Sequence, residues 1–130
     1  MRPIFLVIDP PDPESLSTRK LVLESAMFNV LTANSMKEGL ELVTLMPVHA
    51  MIVHERAFGK ASAEEIIKAL KEKRPETPVV VLSPNPSPID GADCALSSHD
   101  PIELVRTLRQ MFHLPGPTEL EPEPAGRFRR

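Results

Sequence analysis

Short, unbroken runs of apolar residues constrain the fold of this chain more than any other feature of its sequence. Three of these runs have only four or five residues: Ile4–Ile8, Ala50–Val53 and Val79–Leu82. A strand with one solvated face alternates apolar and polar residues, whereas a strand in a parallel sheet is covered on both faces and is apolar throughout. These runs therefore predict buried parallel strands, and Asn29–Ala33 and Cys94–Leu96 are predicted as two further strands.

Helix signals separate the predicted strands. Ser35–Glu38 and Ser62–Glu65 are capping boxes, and each precedes residues with helical apolar spacing. Asp12-Pro13 and Asp100-Pro101 each place a capping side chain before a proline at the first helical position. Strands that alternate with helices in this way predict an α/β fold, with a parallel sheet covered by helices on both faces.

The connection between the last two predicted strands lacks a helix signal. It carries Pro84, Pro86 and Pro88 within the sequence PNPSPIDG. Ten residues in polyproline extension span about 31 Å at about 3.1 Å each, and a strand of five residues is about 17 Å long. The sequence therefore predicts a stiff, extended crossover here in place of a helix.

The composition is typical of one globular domain followed by a tail. We assign residues 1–113 to the domain and residues 114–130, which are rich in proline and glutamate, to a disordered tail. The arginines near its end are interpreted as a solvated terminus or, alternatively, as a weak docking element. Cys94 is the single cysteine, which excludes an internal disulfide, and we expect it to be a small buried apolar group.

Charge and apolar content disfavour two classes of partner. The net charge is −3, so a basic stripe is not expected. The chain has no tryptophan or tyrosine on which bases could stack. Nucleic acid is therefore not an expected partner. The first apolar run is too short for a signal peptide or a membrane span. We therefore expect a cytoplasmic protein with no membrane partner.

Four segments, taken in chain order, resemble the motifs of the receiver domain of bacterial response regulators. They are Val7–Pro10 (VIDP), Pro47–His54 (PVHAMIVH), Pro78–Ser83 (PVVVLS) and Gly91–Leu96 (GADCAL). The resemblance covers roughly residues 4–112. It implies a flavodoxin-like (βα)5 fold with a parallel five-stranded sheet in the order 2-1-3-4-5, in which the fourth helix is missing or replaced by the proline-rich loop.

The resemblance fails at the residues that carry the family's chemistry. Receivers transfer a phosphoryl group to an aspartate, with Mg²⁺ held by acidic residues. Carried over to this chain, Asp9 is one of those acids, Pro10 replaces a second, His54 stands at the phosphoacceptor position, and Ser83 retains the conserved hydroxyl.

The lysine that contacts the phosphate in receivers is also missing. Its position falls on Ser98, or on Ser97 in the alternative register. Because Mg²⁺ requires several oxygen ligands in near-octahedral geometry, the resemblance implies weak or absent Mg²⁺ binding. We therefore predict no cofactor, no catalytic residue and no enzymatic activity.

Several interpretations of His54 are open. His54 is interpreted as a phosphoacceptor itself, or as a metal ligand together with Asp9 and His99. A third interpretation, which we favour, is a neutral polar side chain that fills the vacated pocket and is hydrogen-bonded to Asp9. A slip of one residue would instead place Glu55 in the pocket as a permanently charged substitute for the phosphorylated acceptor.

We favour a phosphorylation-independent pseudo-receiver that acts through protein–protein contacts with a signalling partner, a second copy of the chain, or both. The alternatives are a metal- or small-ligand-binding domain, using the crevice at Asp9, His54 and His99, and a receiver with atypical phosphorylation. A missing helix should leave apolar surface beside the fourth and fifth strands and the last helix. The predicted partner surface comprises Pro84, Pro86, Pro88, Ile89, Ile102 and Val105.

Overall fold

The computed structural model describes residues 3–9 and 13–112, and for residues 13–18 the backbone alone. Pro10, Asp12 and the predicted tail lie outside the described residues. The elements are β1 (Ile4–Ile8), α1 (Pro13–Ser25), β2 (Asn29–Ala33), α2 (Met36–Leu45), β3 (Ala50–His54), a 3-10 helix (Glu55–Phe58), α3 (Ala63–Lys73), β4 (Val79–Ser83), β5 (Cys94–Ser97) and α4 (Pro101–Met111).

The five strands form one parallel sheet in the order β2-β1-β3-β4-β5. This confirms the predicted flavodoxin-like arrangement. Three strands continue one residue beyond their predicted apolar runs, to His54, Ser83 and Ser97. In the register of the sheet His54 pairs with Leu82, and Ser83 pairs with Ser97.

The core consists of one apolar layer on each face of the sheet, because alternate strand residues point to opposite faces. Leu6 and Ile8 belong to the layer beneath α2 and α3, whereas Phe5 and Val7 belong to the layer beneath α1 and α4. A Cβ atom added to Gly39 of α2 would lie 2.5 Å from Cδ1 of Ile8. Helix α2 thus approaches β1 at a distance that requires glycine.

The predicted caps Ser35, Ser62 and Asp100 are formed at the starts of α2, α3 and α4. The hydroxyl of Ser62 accepts the backbone N–H of Glu65, whose carboxylate accepts the backbone N–H of Ser62 in return. At the start of α4, Asp100 accepts the N–H of Glu103 with Pro101 in the first turn. These local bonds fix where each helix begins, and hence which residues remain at the strand ends.

Residues 84–93 connect β4 to β5 without a helix. Ile89 packs against the layer beneath α2 and α3. The carboxylate of Asp93 accepts the backbone N–H of Val79 at 2.8 Å and lies 3.0 Å from Nζ of Lys71. The predicted absence of a helix between β4 and β5 is therefore confirmed, and Ile89 and Asp93 hold the connection against the rest of the domain.

Candidate functional site

The carboxyl ends of the parallel strands bring together three of the residues that the receiver resemblance predicts to line one pocket. Asp9 follows β1 and is completely buried, and its backbone N–H donates to the carbonyl of Ala33 at 3.0 Å. His54 ends β3 and Ser83 ends β4; both side chains are buried. These three residues therefore lie on neighbouring strand ends.

Asp9 is bound by two arginines. The guanidinium of Arg19, on α1, donates to Oδ2, and the guanidinium of Arg56, in the 3-10 helix, donates to Oδ1 at 3.0 Å. The Arg19 side chain is buried, whereas the Arg56 side chain is 41% exposed. Each carboxylate oxygen thus has a charged hydrogen-bond donor, and such charge-assisted bonds are the strong ones.

Both arginines that bind Asp9 are charged. Burial lowers the pKa of the Arg19 guanidinium, and the charge of Arg56 lowers it further. An arginine nevertheless remains protonated in a protein. Both guanidinium groups therefore contribute charged hydrogen bonds to Asp9.

His54 is neutral at physiological pH. Burial lowers the pKa of its imidazole to about 4, and the charges of Arg56 and Arg19 act in the same direction. Its Nδ1 atom accepts the backbone N–H of Arg56 at 3.1 Å and so caps the 3-10 helix. The prediction of a hydrogen bond between His54 and Asp9 is wrong. The carboxylate of Asp9 accepts from the two guanidinium groups instead.

The end of β3 also distinguishes His54 from Glu55, the two residues considered for the pocket. His54 is the last strand residue and is buried, whereas Glu55 begins the 3-10 helix and is exposed. Glu55 does not occupy the space beside Asp9. It lines a neighbouring cavity instead.

The serine hydroxyls at this edge are used in local turns. Ser83 Oγ accepts the backbone N–H of Asn85 at 3.0 Å, and Ser97 Oγ accepts that of His99 at 3.1 Å. The backbone N–H of Ser98 donates to the carbonyl of Ser83 at 3.0 Å. The two serines at the expected lysine position thus hold β5 to β4 through the backbone and one short turn.

The described part of the chain contains no group of three or more histidine, cysteine, aspartate or glutamate side chains arranged to hold a metal ion. Asp9, His54 and His99 therefore do not form the metal site considered as an alternative. His99 is exposed. Cys94 is partly buried rather than fully buried, and burial raises the pKa of its thiol.

A cavity of about 360 Å³ opens beside β4, on the face of the sheet that α2 and α3 cover. Apolar side chains from the 3-10 helix, β4 and the crossover line it, namely Phe58, Val81 and Ile89. Glu55 and Glu64 add two carboxylates. Residues 85–89 of the connection between β4 and β5 also line the cavity.

No protein-family model matches this sequence, and no curated protein sequence matches it. Solved structures match its fold. A CheY-like receiver domain from Methanospirillum hungatei superposes with a TM-score of 0.75 at 16% identity, over 87% of this chain and 95% of that chain. The receiver domain of an HD domain-containing protein from Pseudomonas fluorescens gives 0.75 at 20% identity, over 87% and 96%. The chemotaxis response regulator CheY4 of Vibrio cholerae gives 0.73 at 21% identity, over 85% and 98%.

The chain has the fold of a response-regulator receiver domain. At these identities the likeness establishes the fold alone, and the function must be argued from this chain's own residues. Within the described residues, none of the helices combines the length and the apolar character that a membrane span needs.

The predicted partner surface is divided in this receiver fold. Pro84, Pro86 and Pro88 are exposed in the crossover, and Ile102 is 68% exposed at the start of α4. Ile89, however, packs on the face of α2 and α3. Val105 packs against the opposite layer, so the six residues do not form one continuous apolar patch.

Sequence reasoning missed Arg19 and Arg56. It sought a lysine at the phosphate-contacting position and did not ask what would neutralise a buried Asp9. That question has a physical basis, since a buried carboxylate needs a charged partner. Arg56 lies two residues beyond the strand end, which is a usable signal, whereas Arg19 is brought to Asp9 only by the packing of α1.

Proposed function

We propose that this chain is a pseudo-receiver, a non-enzymatic signalling module that works in the cytoplasm through protein–protein contacts and without phosphorylation. One observation carries the proposal. Asp9, the acid that the receiver resemblance assigns to Mg²⁺, has both carboxylate oxygens bound by Arg19 and Arg56.

The energetics of this cluster oppose metal binding. A Mg²⁺ ion at Asp9 would have to displace at least one guanidinium, and removing the partner of a buried charge costs about 3 to 5 kcal/mol. The ion also loses its water reluctantly and needs several oxygen ligands. The two arginines therefore supply internally the positive charge that a receiver takes from its metal.

The imidazole of His54 is a poor substitute for the missing acceptor. Its pKa of about 4 means that it is a weak base, and a nucleophile of low basicity needs activation by a neighbouring group. Its Nδ1 lone pair is already engaged by the backbone N–H of Arg56. These properties favour a structural role for His54 as a neutral cap.

A receiver fold without its reaction retains surfaces through which it can act. Strand β5 lies at one edge of the sheet, beside the exposed Ile102 and the exposed prolines of the crossover. An open strand edge and exposed apolar residues are typical of protein contact sites. A signalling protein or a second copy of the chain is the partner class that this surface fits.

Phosphorylation is tested by incubating the purified chain with acetyl phosphate and Mg²⁺ and measuring its intact mass. We expect no phosphoryl adduct. The His54→Asp variant restores the acceptor carboxylate, and we expect it to remain unmodified because Arg19 and Arg56 still occupy Asp9. A stoichiometric adduct on the unmodified chain would contradict the proposal, and an adduct on the variant alone would show that Arg19 and Arg56 do not exclude the metal ion.

The contact role is tested by affinity capture from the native host with two matched variants. Ile102 and Leu21 are both exposed aliphatic residues on helices, 68% and 64% respectively. We expect Ile102→Glu to lose a specific partner that the unmodified chain and the Leu21→Glu variant both retain. Equal capture by both variants would remove the β5 and α4 surface from the proposal.

A further inference from the structure

The 3-10 helix that follows β3 carries one of the two arginines that bind Asp9. Arg56 is the second residue of this helix, and its guanidinium donates to Oδ1 of Asp9 at 3.0 Å. The Arg56 side chain is 41% exposed, and fixing a long arginine side chain costs conformational entropy. The bond to Asp9 therefore depends on how firmly the backbone at residue 56 is positioned.

The two halves of this short helix are held in different ways. Ala57 and Phe58, in its second half, pack against the apolar layer beneath α2 and α3. Glu55 and Arg56, in its first half, are exposed. The first half instead has a hydrogen bond from the backbone N–H of Arg56 to Nδ1 of His54, at 3.1 Å. This bond satisfies a donor that the start of a helix otherwise leaves without a partner in the helix.

The acceptor of this bond is itself held by the sheet. His54 is the last residue of β3, its side chain is buried, and it pairs with Leu82 of β4. The imidazole is thus a fixed reference point two residues before Arg56. Asparagine and aspartate side chains accept the N–H two residues further on in the same way, whereas an aliphatic side chain at position 54 would leave this N–H without its acceptor.

We propose that His54 is a positioning residue, which holds the backbone of Arg56 so that the guanidinium stays on Asp9 and keeps this carboxylate closed to a metal ion. The imidazole acts through Arg56 and makes no contact with an ion itself. This inference deepens the proposed function and rests on it, because it explains how the Asp9 position is kept closed.

The test measures how fast the guanidinium protons of Arg56 exchange with water, by NMR spectroscopy of the full chain. His54→Leu and His54→Ala both remove the acceptor. We expect exchange at Arg56 to accelerate by a factor of about 2 to 30, the range that corresponds to the loss of a helix cap. His54→Asn supplies a side-chain oxygen for the same N–H and should restore the exchange rate of the unmodified chain.

Two controls separate positioning from a general loosening of the fold. The guanidinium of Arg19 binds the other oxygen of Asp9 from α1, and its exchange rate should be unchanged in all the variants. His49 precedes β3, and its Nδ1 atom accepts the backbone N–H of Ile4 at 2.9 Å. His49→Leu therefore removes a similar bond at the opposite end of the strand and should leave exchange at Arg56 unchanged.

Three results would overturn the inference: unchanged exchange at Arg56 in both His54→Leu and His54→Ala, equal acceleration at Arg19 and Arg56, or failure of His54→Asn to restore the rate. The experiment uses no phosphoryl donor, so its outcome is separate from that of the acetyl phosphate experiment. Unchanged exchange in a chain that stays unphosphorylated would overturn the role of His54 alone. An adduct on the unmodified chain would overturn the proposed function whatever the exchange rates.

Discussion

Two aspartates of this receiver fold have cationic partners at similar distances but in different surroundings. Asp9, at the carboxyl end of β1, is completely buried and pairs with Arg56 at 3.0 Å as well as with Arg19. Asp93, at the end of the crossover, has a side chain that is 41% exposed and lies 3.0 Å from Lys71. Exposed ion pairs contribute little to stability, whereas breaking a buried pair is costly.

The two regions differ in accessibility as well as in their ion pairs. At the end of β1 a buried carboxylate is bound by two guanidinium groups. Beside β4 the connection to β5, which has no helix, lines an open cavity. One region is paired internally, and the other presents accessible surface.

Replacement of the buried aspartate should have the largest effect. Asp9→Ala leaves the buried Arg19 without its counter-charge, and we expect a loss of about 3 to 5 kcal/mol in the free energy of unfolding. Asp93→Ala should cost less, about 1 to 2 kcal/mol, because its pair with Lys71 is partly solvated and the lost acceptor of the Val79 N–H adds to the cost. Urea denaturation monitored by circular dichroism measures both, and equal losses would contradict the distinction between the two regions.

The pH dependence of stability tests the neutral state of His54. Because the folded pKa of about 4 lies below the ordinary value of 6.5, the unfolded chain binds the proton more readily. The stabilisation is therefore complete above about pH 6.5 and is lost as the pH falls towards 4, by up to about 3 kcal/mol. His54→Gln should flatten this part of the profile, and an unchanged slope in the variant would assign the dependence to other groups.

Gly91 tests how firmly the crossover is held. It has a φ of +88°, and an added Cβ would lie 3.1 Å from Cγ2 of Ile67. We expect Gly91→Ala to cost about 1 to 3 kcal/mol through backbone strain and this contact. Gly59 has a φ of +62° and a ψ of −126° with open space around it, a backbone conformation outside the regions open to L-residues. Gly59→Ala should therefore lose stability through backbone strain alone, as thermal unfolding of the variant would show.

The prolines of the crossover should have the smallest effect. Pro86 is exposed, so Pro86→Ala removes little packing and acts mainly by increasing the conformational entropy of the unfolded chain. We expect a loss of about 0.4 to 1 kcal/mol with no change in the spectra of the Asp9 cluster. A larger loss, measured by urea denaturation, would mean that the loop packs more tightly than its exposure indicates.

The sequence predicted the fold more fully than the site. Apolar runs and capping residues are local signals, and they located every strand as well as the absence of a helix after Ser83. The partners of Asp9 depend on tertiary packing, because α1 must lie against the sheet before Arg19 can reach the carboxylate. No local pattern encodes that contact, and comparison with the receiver motifs directed attention to the residues that were lost rather than to those that replaced them.

A titration with Mg²⁺ tests the central claim most directly, namely that Arg19 and Arg56 occupy the cation position of this receiver fold. The full chain is titrated while the backbone amide resonances of Asp9, His54 and Ser83 are followed by ¹⁵N–¹H spectroscopy. We predict no saturable shift at these three residues. Saturable shifts centred on Asp9 would show that the ion displaces the arginines and would contradict the account.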